Sequence, residues 1–368
     1  MPDPAPNERP RRQEQERASC DVVEVAPGVL RCQLPIDMPG LGHTNCYVLE
    51  DERGAAVVDP GLPGRATLAT LRQRLASAGI PLRRVHTVVI THSHPDHFGG
   101  AGWVRRETGA EIVTHRRFSL IWDRLDPPDV DVEDLGNLVA ADPEEARETQ
   151  PAATRRQPWD PPPWGGVGYP FPLRRRMMMR GSRRFPRLFR TPTPTVRLDD
   201  AATIRLGRRE WIALHTPGHT DDHLCLFDPT ERVMLSGDHV LPTITPHIGG
   251  FVRSADPLDR FFDSLDKVAA HGDDVSIVLP AHGQPFEDLA GRAKAIQVHH
   301  LGRLDLLRRT AAELARPARV QEMSQHLFST RAQGPMADSE TFAHLEHLRL
   351  AGELDRLDRA DGYEYVAS

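Results

Sequence analysis

Short apolar runs bounded by turn residues dominate the first 120 positions of the chain. Residues 21–34 and 44–59 are rich in β-branched side chains and are separated by Pro and Gly, a pattern that predicts antiparallel strands. Helix and strand patterns then alternate, with helices predicted over 65–78 and 98–108 and strands over 85–90 and 110–114. This alternation predicts an α/β fold.

Short strand patterns return after a long interruption and give way to helical ones. The predicted strands are 195–198, 203–206, 210–215, 224–228 and 233–236. They imply the second half of a sheet sandwich. The predicted closing elements are helices over 291–315, 320–327 and 339–357 and a strand over 363–366. Their order resembles a small winged-helix-like C-terminal domain.

The periodic pattern breaks between residues 116 and 195, which we interpret as an insertion. An acidic stretch over 123–148 is followed by proline-rich and arginine-rich sequence that includes RRRMMMRGSRR at 174–184. A long segment of this kind is either a solvated loop or an active-site lid, and the sequence leaves both readings open. We therefore expect three parts: a disordered tail over 1–19, a main domain over 20–290 that contains the insertion, and the C-terminal domain over 291–368.

Composition and charge narrow the class of partner. The apolar content of 39% can build a core, and the formal net charge of -6 gives no general attraction to nucleic acid or to an anionic membrane. Four cysteines without a CxxC pair indicate buried, reduced thiols. The N-terminal tail has no apolar signal sequence, and no segment reaches the roughly 18 apolar residues of a membrane span. We expect a cytoplasmic protein that acts on a small molecule.

The strongest chemical signal is the heptapeptide THSHPDH at 91–97, which directly follows an apolar run. Three imidazoles and a carboxylate on one tight turn cannot all be satisfied core residues, whereas divalent first-row metals bind both groups. Residues two apart in an extended turn project to the same side. His92 and His94 can therefore reach one ion while Asp96 and His97 turn toward another.

Three later turns supply further ligands, each after a strand-like run. They are His219 in TPGHT, Asp238 in SGD and His282 in PAHG. A glycine in each turn lets the backbone come close to its neighbours. The set predicts two divalent metal ions, with Zn²⁺ expected, although iron and manganese also accept His/Asp sites.

These positions resemble, one by one, the metal-binding pattern of the metallo-β-lactamase superfamily. The resemblance covers most of residues 21–290 and implies an αββα sandwich. It also implies a first metal site formed by His92, His94 and His219. The second site would be formed by Asp96, His97 and His282, and Asp238 would bridge the two.

The same resemblance places Asp59, in VVDPG, beside the metals as a buried residue that orients a ligand. A simple turn-capping aspartate is the alternative. Aspartates at 96 and 238, with no cysteine in a bridging position, resemble the glyoxalase II, lactonase and nuclease members more than antibiotic-degrading ones. The full HxHxDH motif differs from that of the flavodiiron oxygen reductases, which favours hydrolysis over redox chemistry.

The resemblance implies a dinuclear metal-dependent hydrolase in which a metal-bridging hydroxide is the nucleophile. Asp96 or Asp238 would pass a proton to the leaving group. The C-terminal part looks like the lactamase-like branch that carries a winged helix and includes thioesterases and endoribonucleases. An acyl thioester or related ester is the preferred substrate, because the Met- and Arg-rich insertion could cover an acyl chain and bind coenzyme A phosphates.

Two alternatives stay open on the sequence. A phosphodiesterase or endoribonuclease would use the same metals and the basic segment 174–190, although the net acidity argues against it. A non-catalytic metal-containing regulatory module is the other alternative. The last predicted helix mixes acidic residues with arginines, so we expect the C-terminal domain to pack or to form a homodimer rather than bind nucleic acid.

The remaining histidines are expected in surface, capping or supporting roles, because the set of seven ligands is already complete. His247, soon after Asp238, is the one placed to contact substrate. The others considered are His43, His239, His299 and His300.

Overall fold

The computed structural model describes residues 12–38, 40–120 and 159–368. Two β-sheets form its centre. The first sheet contains, in spatial order, β1 (Val22–Ala26), β2 (Val29–Met38), β3 (Leu41–Asp51), β4 (Gly54–Val58), β5 (Val85–Val89), β6 (Glu111–His115) and β7 (Val196–Leu198). The second contains β12 (Ile277–Pro280), β11 (Val233–Gly237), β10 (Leu224–Asp228), β9 (Arg209–His215) and β8 (Thr203–Leu206).

Helices cover the outer faces of both sheets. The described helices are α1 (Arg65–Ser77), α2 (Pro95–Phe98), α3 (Ala101–Thr108), α4 (Leu173–Arg184), α5 (Pro186–Phe189), α6 (Pro257–Ala269), α7 (Leu289–Leu314), α8 (Val320–Leu327) and α9 (Pro335–Leu350). Three strands near the C-terminus form a small third sheet in the order β13 (Ala318–Arg319), β15 (Gly362–Ala367), β14 (Leu354–Arg359).

Three apolar clusters correspond to the layers of the fold. The cluster between the sheets includes Val58 and Val89 of the first sheet and Trp211 of the second, all at most 1% exposed. A second cluster joins the first sheet to α1 and α3, and a third joins the second sheet to α6 and α7. Burying each such large side chain contributes roughly 1.5–3 kcal/mol. The predicted αββα sandwich is confirmed.

The direction of the strands brings several of their carboxyl ends to one edge. Strands β4 and β5 are parallel, and so are β11 and β12. Strand β9 is antiparallel to β10, which is antiparallel to β11, so β9 also points toward that edge. The turns after these strands are therefore neighbours in space, as ligand-binding turns of mixed sheets often are.

Helix α6 was missed by the sequence analysis. Its start carries clear signals, since the Asp256 side chain accepts a hydrogen bond from the Asp259 N–H and Pro257 occupies the first turn. Its buried face repeats at helical spacing through Leu258, Phe261 and Leu265. This helix covers the second sheet directly after the loop that follows β11.

The predicted disordered tail over 1–19 is wrong for residues 12–19. They include a 3-10 turn, Gln13–Gln15, whose Glu14 is completely buried. The Glu14 carboxylate accepts hydrogen bonds from the backbone N–H groups of Thr243 (2.9 Å) and Ile244 (3.1 Å). Hydrogen bonding lets a charged group occupy the interior, which sequence polarity could not anticipate. Residues 1–11 lie outside the described residues.

The C-terminal region contains the three predicted helices, but the last one is shorter than expected. Helix α9 ends at Leu350, and the positive φ of Gly352 (76°) starts the turn into the β14–β15 hairpin. Residues 354–357 were predicted as the end of this helix because the period of LDRLDR (354–359) is ambiguous, but the whole stretch pairs as strand β14. Leu345 of α9 and Tyr365 of β15 belong to the same apolar cluster as the second sheet.

The predicted insertion over 116–195 is described in part, and residues 121–158 lie outside the described residues. Its later half contains α4 and α5. Trp164 is 2% exposed and stacks on Phe342 of α9, with ring centroids 4.3 Å apart. The arginine-rich sequence at 174–184 lies in helix α4, which begins at Leu173. The side chains of Leu173 and Met177 are exposed.

The cysteines and the helices bear on two further predictions. Cys32, Cys46 and Cys225 are buried free thiols, as predicted, whereas Cys20 is an exposed one. Within the described ranges, none of the helices combines the length and the apolar character needed to cross a membrane.

Candidate metal centre

The seven predicted ligands come together at the edge where the strand ends meet. The motif over 91–97 follows β5 and runs into α2, so the chain turns sharply between its first two histidines and Asp96. The other ligands lie in the loop between β9 and β10 and directly after β11 and β12. Tight turns make this possible: a Cβ on Gly237 (φ 53°) would lie 2.6 Å from the His223 Nε2 atom.

Four side chains form the first cluster. His94 Nδ1 lies 3.0 Å from both His92 Nε2 and His219 Nε2. Asp238 Oδ2 lies 3.8 Å from His92 Nε2 and 3.6 Å from His219 Nε2. These four atoms lie within 4.8 Å of one another and match the donor types and number that a tetrahedral divalent ion requires.

Asp96, His97 and His282 form the second cluster, next to the first. Asp96 Oδ2 lies 3.4 Å from both His97 Nε2 and His282 Nε2. Asp238 reaches this cluster as well, since its Oδ1 lies 3.3 Å from His282 Nε2 and its Oδ2 lies 3.5 Å from His97 Nε2. Asp238 is therefore the side chain that contacts both clusters.

Unsatisfied polar atoms indicate that the residues around the second cluster fit a bound cation. His97 Nε2, His282 Nε2 and Asp238 Oδ1 are buried and have no hydrogen-bond partner among the described residues. A buried polar atom without a partner costs about 1–3 kcal/mol, so three in one place call for a ligand. Neutral imidazoles and carboxylates are the donors that divalent first-row metals prefer.

The electrostatics of the two clusters differ. Burial lowers the pKa of His92, His94 and His219, which keeps these imidazoles in the neutral form that binds metals. Burial alone would also lower the pKa of His282, but the neighbouring Asp238 carboxylate outweighs it and raises that pKa to about 10. Nearby carboxylates raise the pKa of His97 in the same way. The second cluster thus concentrates negative charge that attracts cations.

Asp59 contacts both the motif turn and a ligand. Its carboxylate accepts hydrogen bonds from the Thr91 N–H (2.9 Å), the Thr91 hydroxyl (2.7 Å) and His97 Nδ1 (2.9 Å). Asp59 is 2% exposed and has a φ of 54°, an uncommon backbone conformation for a residue other than glycine. These contacts agree with an orienting role better than with simple turn capping.

The two histidines that come later in the chain, His219 and His282, also have their second ring nitrogen occupied. His282 Nδ1 donates to the backbone carbonyl of His43 (2.6 Å), and His219 Nδ1 donates to that of His247 (2.7 Å). A donor bond at Nδ1 fixes the tautomer that leaves Nε2 free as an acceptor for a metal.

His223 was not among the residues predicted from the sequence, but it contacts Asp238. It is completely buried, and its ring lies 5.1 Å from that of His92, measured between centroids. Its Nε2 accepts a hydrogen bond from the Asp238 N–H (3.1 Å), and its Nδ1 pairs with the Thr216 hydroxyl (2.7 Å). The only signal in the sequence is its place four residues after His219 in HTDDH.

The other histidines occupy supporting positions, and several are more deeply buried than expected. His43 bonds to the carbonyl of Glu16 through Nδ1 (2.8 Å) and accepts from the Gly283 N–H through Nε2 (3.1 Å). His239 and His300 are completely buried, so they are not surface residues.

Comparisons with known proteins agree with the geometry. The family model described as the metallo-beta-lactamase superfamily matches residues 39–282. The chain is 36% identical over 104 residues to "Lactamase-like protein nscB" of Arthroderma benhamiae, a match that covers 28% of this chain and 20% of that protein. It is 30% identical over 89 residues to a hydroxyacylglutathione hydrolase of Francisella tularensis subsp. novicida, covering 24% of this chain and 34% of that protein. These matches span a fifth to a third of the relatives' length.

A solved structure resembles almost the whole chain. A metallo-beta-lactamase family protein from Thermus thermophilus superposes with a TM-score of 0.69 at 27% sequence identity, covering 94% of this chain and 100% of that chain. The predicted class, an enzyme of a hydrolytic family, is confirmed at the level of the family. The chain belongs to the metallo-beta-lactamase superfamily.

Proposed function

We propose that this chain is a hydrolase that binds two divalent metal ions and cleaves an acyl thioester or a related ester. One observation carries the proposal: seven donor side chains, six of them buried and His94 half-buried, form two adjacent clusters that share Asp238. His92, His94 and His219 would hold the first ion with Asp238; Asp96, His97 and His282 would hold the second. We expect the ion to be zinc, because zinc in proteins is usually bound by about four ligands and accepts histidine nitrogens and carboxylate oxygens.

The metals and the protein would divide the chemistry between them. A pair of divalent ions, when bound, lowers the pKa of a water molecule and polarises a carbonyl oxygen. The chain's own residues hold the donors in place: Asp59 orients His97, and backbone carbonyls orient His219 and His282. The carboxylates of Asp96 and Asp238 are the groups of the site that could move a proton to the leaving sulfur atom.

The substrate class is supported by two observations. One set of relatives is named hydroxyacylglutathione hydrolase, and hydroxyacylglutathione is an acyl thioester. In addition, Arg190, which directly follows α5, stacks over the Trp103 ring of α3 at 3.5 Å. The exposed methionines and arginines of α4 therefore belong to a segment anchored beside α3, the helix that follows the metal-binding motif.

The test is a hydrolysis screen of the zinc-loaded protein across acyl thioesters, lactones, phosphodiesters and β-lactams. We expect turnover of thioesters that needs the metal and varies little with salt concentration. Turnover of single-stranded RNA that weakens steeply with salt would support the phosphodiesterase alternative, which the arginines of α4 favour. Bound metal without turnover of any class would support a regulatory module.

Two further assignments remain predictions. The first is the division of the chain into a main domain over 20–290 and a winged-helix-like domain over 291–368. The second is a homodimer formed through the C-terminal region. Sedimentation of the purified protein would test the dimer.

A further inference from the structure

The loop between β11 and α6, residues 238–256, carries one ligand and supports another. It begins at Asp238, and the carbonyl of its His247 accepts the hydrogen bond from His219 Nδ1 (2.7 Å). Whatever holds His247 in place therefore also limits the rotation of the His219 ring. Helices of the C-terminal region contact this part of the loop.

We propose that Glu340 of α9 is a positioning residue for the metal site, acting on His219 through His247. The proposal rests on the proposed function, since it assumes that His219 binds a metal. It gives the C-terminal region a role in the site, beyond the packing or dimerisation expected from the sequence.

The chain of contacts from Glu340 to the ligand is continuous. His247 Nδ1 donates to Glu340 Oε2 at 3.1 Å, and the His247 carbonyl accepts from His219. The other carboxylate oxygen, Oε1, accepts from the Arg303 guanidinium of α7. The neighbouring Ser339 hydroxyl accepts from the Gly250 N–H at 3.0 Å. Two adjacent residues of α9 thus hold the loop on both sides of Ile248.

The charge and burial of Glu340 indicate a purpose other than surface solubility. Glu340 is 8% exposed, so an ionised carboxylate at this position needs hydrogen-bond partners for both oxygens. Burial by itself would raise the pKa of Glu340, but the hydrogen bond from His247 and the Arg303 charge lower it to about 2. The carboxylate is therefore ionised at neutral pH, and its negative charge strengthens the hydrogen bonds that it accepts from His247 and Arg303.

Other elements hold the same loop, which makes it a rigid support. The Arg292 guanidinium of α7 donates to the carbonyls of Leu241 and Ile244, both at 2.6 Å. From the opposite end of the chain, Glu14 binds the backbone at 243 and 244. These contacts hold the part of the loop that precedes His247. Glu340 and Ser339 hold the loop at His247 and after it.

Helix α9 offers a matched control. Glu346 is also a buried glutamate on α9, but its carboxylate bonds to Arg349, Arg356 and the Tyr365 hydroxyl within the C-terminal region. Glu346→Gln therefore repeats the loss of a buried charge on the same helix without touching the path to His219. A general loosening of the C-terminal region would affect both variants alike.

The experiment compares Glu340→Gln, His247→Ala, the double variant and Glu346→Gln with the wild type. An amide has one acceptor oxygen where the carboxylate has two, so His247 or Arg303 loses its partner in Glu340→Gln. His247→Ala keeps the carbonyl but removes the side chain that fixes it. Zinc affinity is measured by chelator competition, the Co²⁺-loaded absorption spectrum reports ligand geometry, and thermal unfolding reports folding.

We expect Glu340→Gln and His247→Ala each to weaken zinc binding at the first cluster, which contains His219, by about tenfold and to change the Co²⁺ spectrum, as loss of a residue that orients a metal ligand typically does. The double variant should lose no more than either single variant, because both interrupt one path. Glu346→Gln should keep wild-type zinc affinity. Equal losses in Glu340→Gln and Glu346→Gln, or wild-type affinity in both Glu340→Gln and His247→Ala, would overturn the proposal.

These outcomes separate the proposal from the function on which it rests. Unchanged affinity in the variants of a wild type that binds two zinc ions and hydrolyses thioesters removes the role of Glu340 alone. A wild type that binds no zinc removes the proposed function, and the role of Glu340 with it. If Glu340→Gln does not fold, the comparison of His247→Ala with Glu346→Gln decides the matter.

Discussion

The two ligand clusters differ in what holds their histidines in place. In the second cluster, His97 is held by Asp59 at the end of β4, and His282 is held by a carbonyl on β3. In the first cluster, His219 is held by the carbonyl of His247, in a loop fastened by C-terminal helices. The second site is thus built into the sandwich itself, whereas the first depends on a part of the chain outside it.

The clusters differ in charge as well. The histidines of the first have lowered pKa values because they are buried among one another, while carboxylates raise those of His97 and His282. Asp238 reaches both groups. The sites should therefore respond separately to changes in their supports and together to a change at Asp238.

The largest effect is expected for Asp238→Ala, because this change should weaken metal binding at both sites. Loss of a carboxylate shared by both clusters should lower the metal occupancy of both. Activity should fall by more than the roughly 10–100-fold that is typical when a residue that orients a metal ligand is lost. Metal content per chain, measured by elemental analysis, checks this. Asp200→Ala, which removes an exposed partner of Lys267, is the control. Full occupancy of either site would show that Asp238 does not bridge.

An intermediate effect is expected for Asp59→Asn, which should affect the second site more than the first. Asparagine tolerates the positive φ of this position, so the backbone can stay as it is. The amide has one acceptor oxygen where the carboxylate has two, so it cannot keep all three bonds, from the Thr91 N–H, the Thr91 hydroxyl and His97. The affinity of the second site should therefore fall by about 10–100-fold. Chelator competition measures both affinities.

The matched control for that change is Asp51→Asn, because Asp51 also pairs with a histidine, His86, but away from both clusters. It should leave metal affinity unchanged. Equal weakening of the two sites in Asp59→Asn would contradict the separate supports described above.

The smallest effect is expected for the joint change of Arg174, Arg175 and Arg176 to Ala on α4. Arg174 and Arg175 are exposed, and the half-buried Arg176 donates to the Phe171 carbonyl at 2.9 Å. Cations at or near the surface contribute about 1 kcal/mol or less each, so KM for a coenzyme A thioester should rise by roughly two- to fivefold. Metal content, kcat and KM for a short simple thioester should not change. Loss of all RNA cleavage in this variant, with no thioester turnover in the wild type, would point to the phosphodiesterase alternative.

The sequence predicted which candidate ligands lie together, because their chemistry is local. Four donors in six positions at 92–97 have no plausible packing role, and the turns that carry Asp238 and His282 have the glycines that close approach requires. The layers of the sandwich followed from strand-length apolar runs. These signals can be recognised without knowing what lies opposite.

The supports could not be predicted in the same way, because each depends on a distant partner. Glu14 is buried against a loop 229 residues later, and Glu340 meets His247 across 93 positions. His223 appears as one more histidine until its contact with the Asp238 N–H is seen. Part of strand β14 was predicted as helix because LDRLDR fits both periods, whereas strand β15 was predicted as a strand.

Metal stoichiometry of the wild-type protein tests the central claim most directly. The metal-free chain is titrated with Zn²⁺, passed over a desalting column and analysed for zinc and protein. We predict two zinc ions per chain, bound with two distinguishable affinities because the clusters have different supports. One ion per chain, or none, would contradict the account.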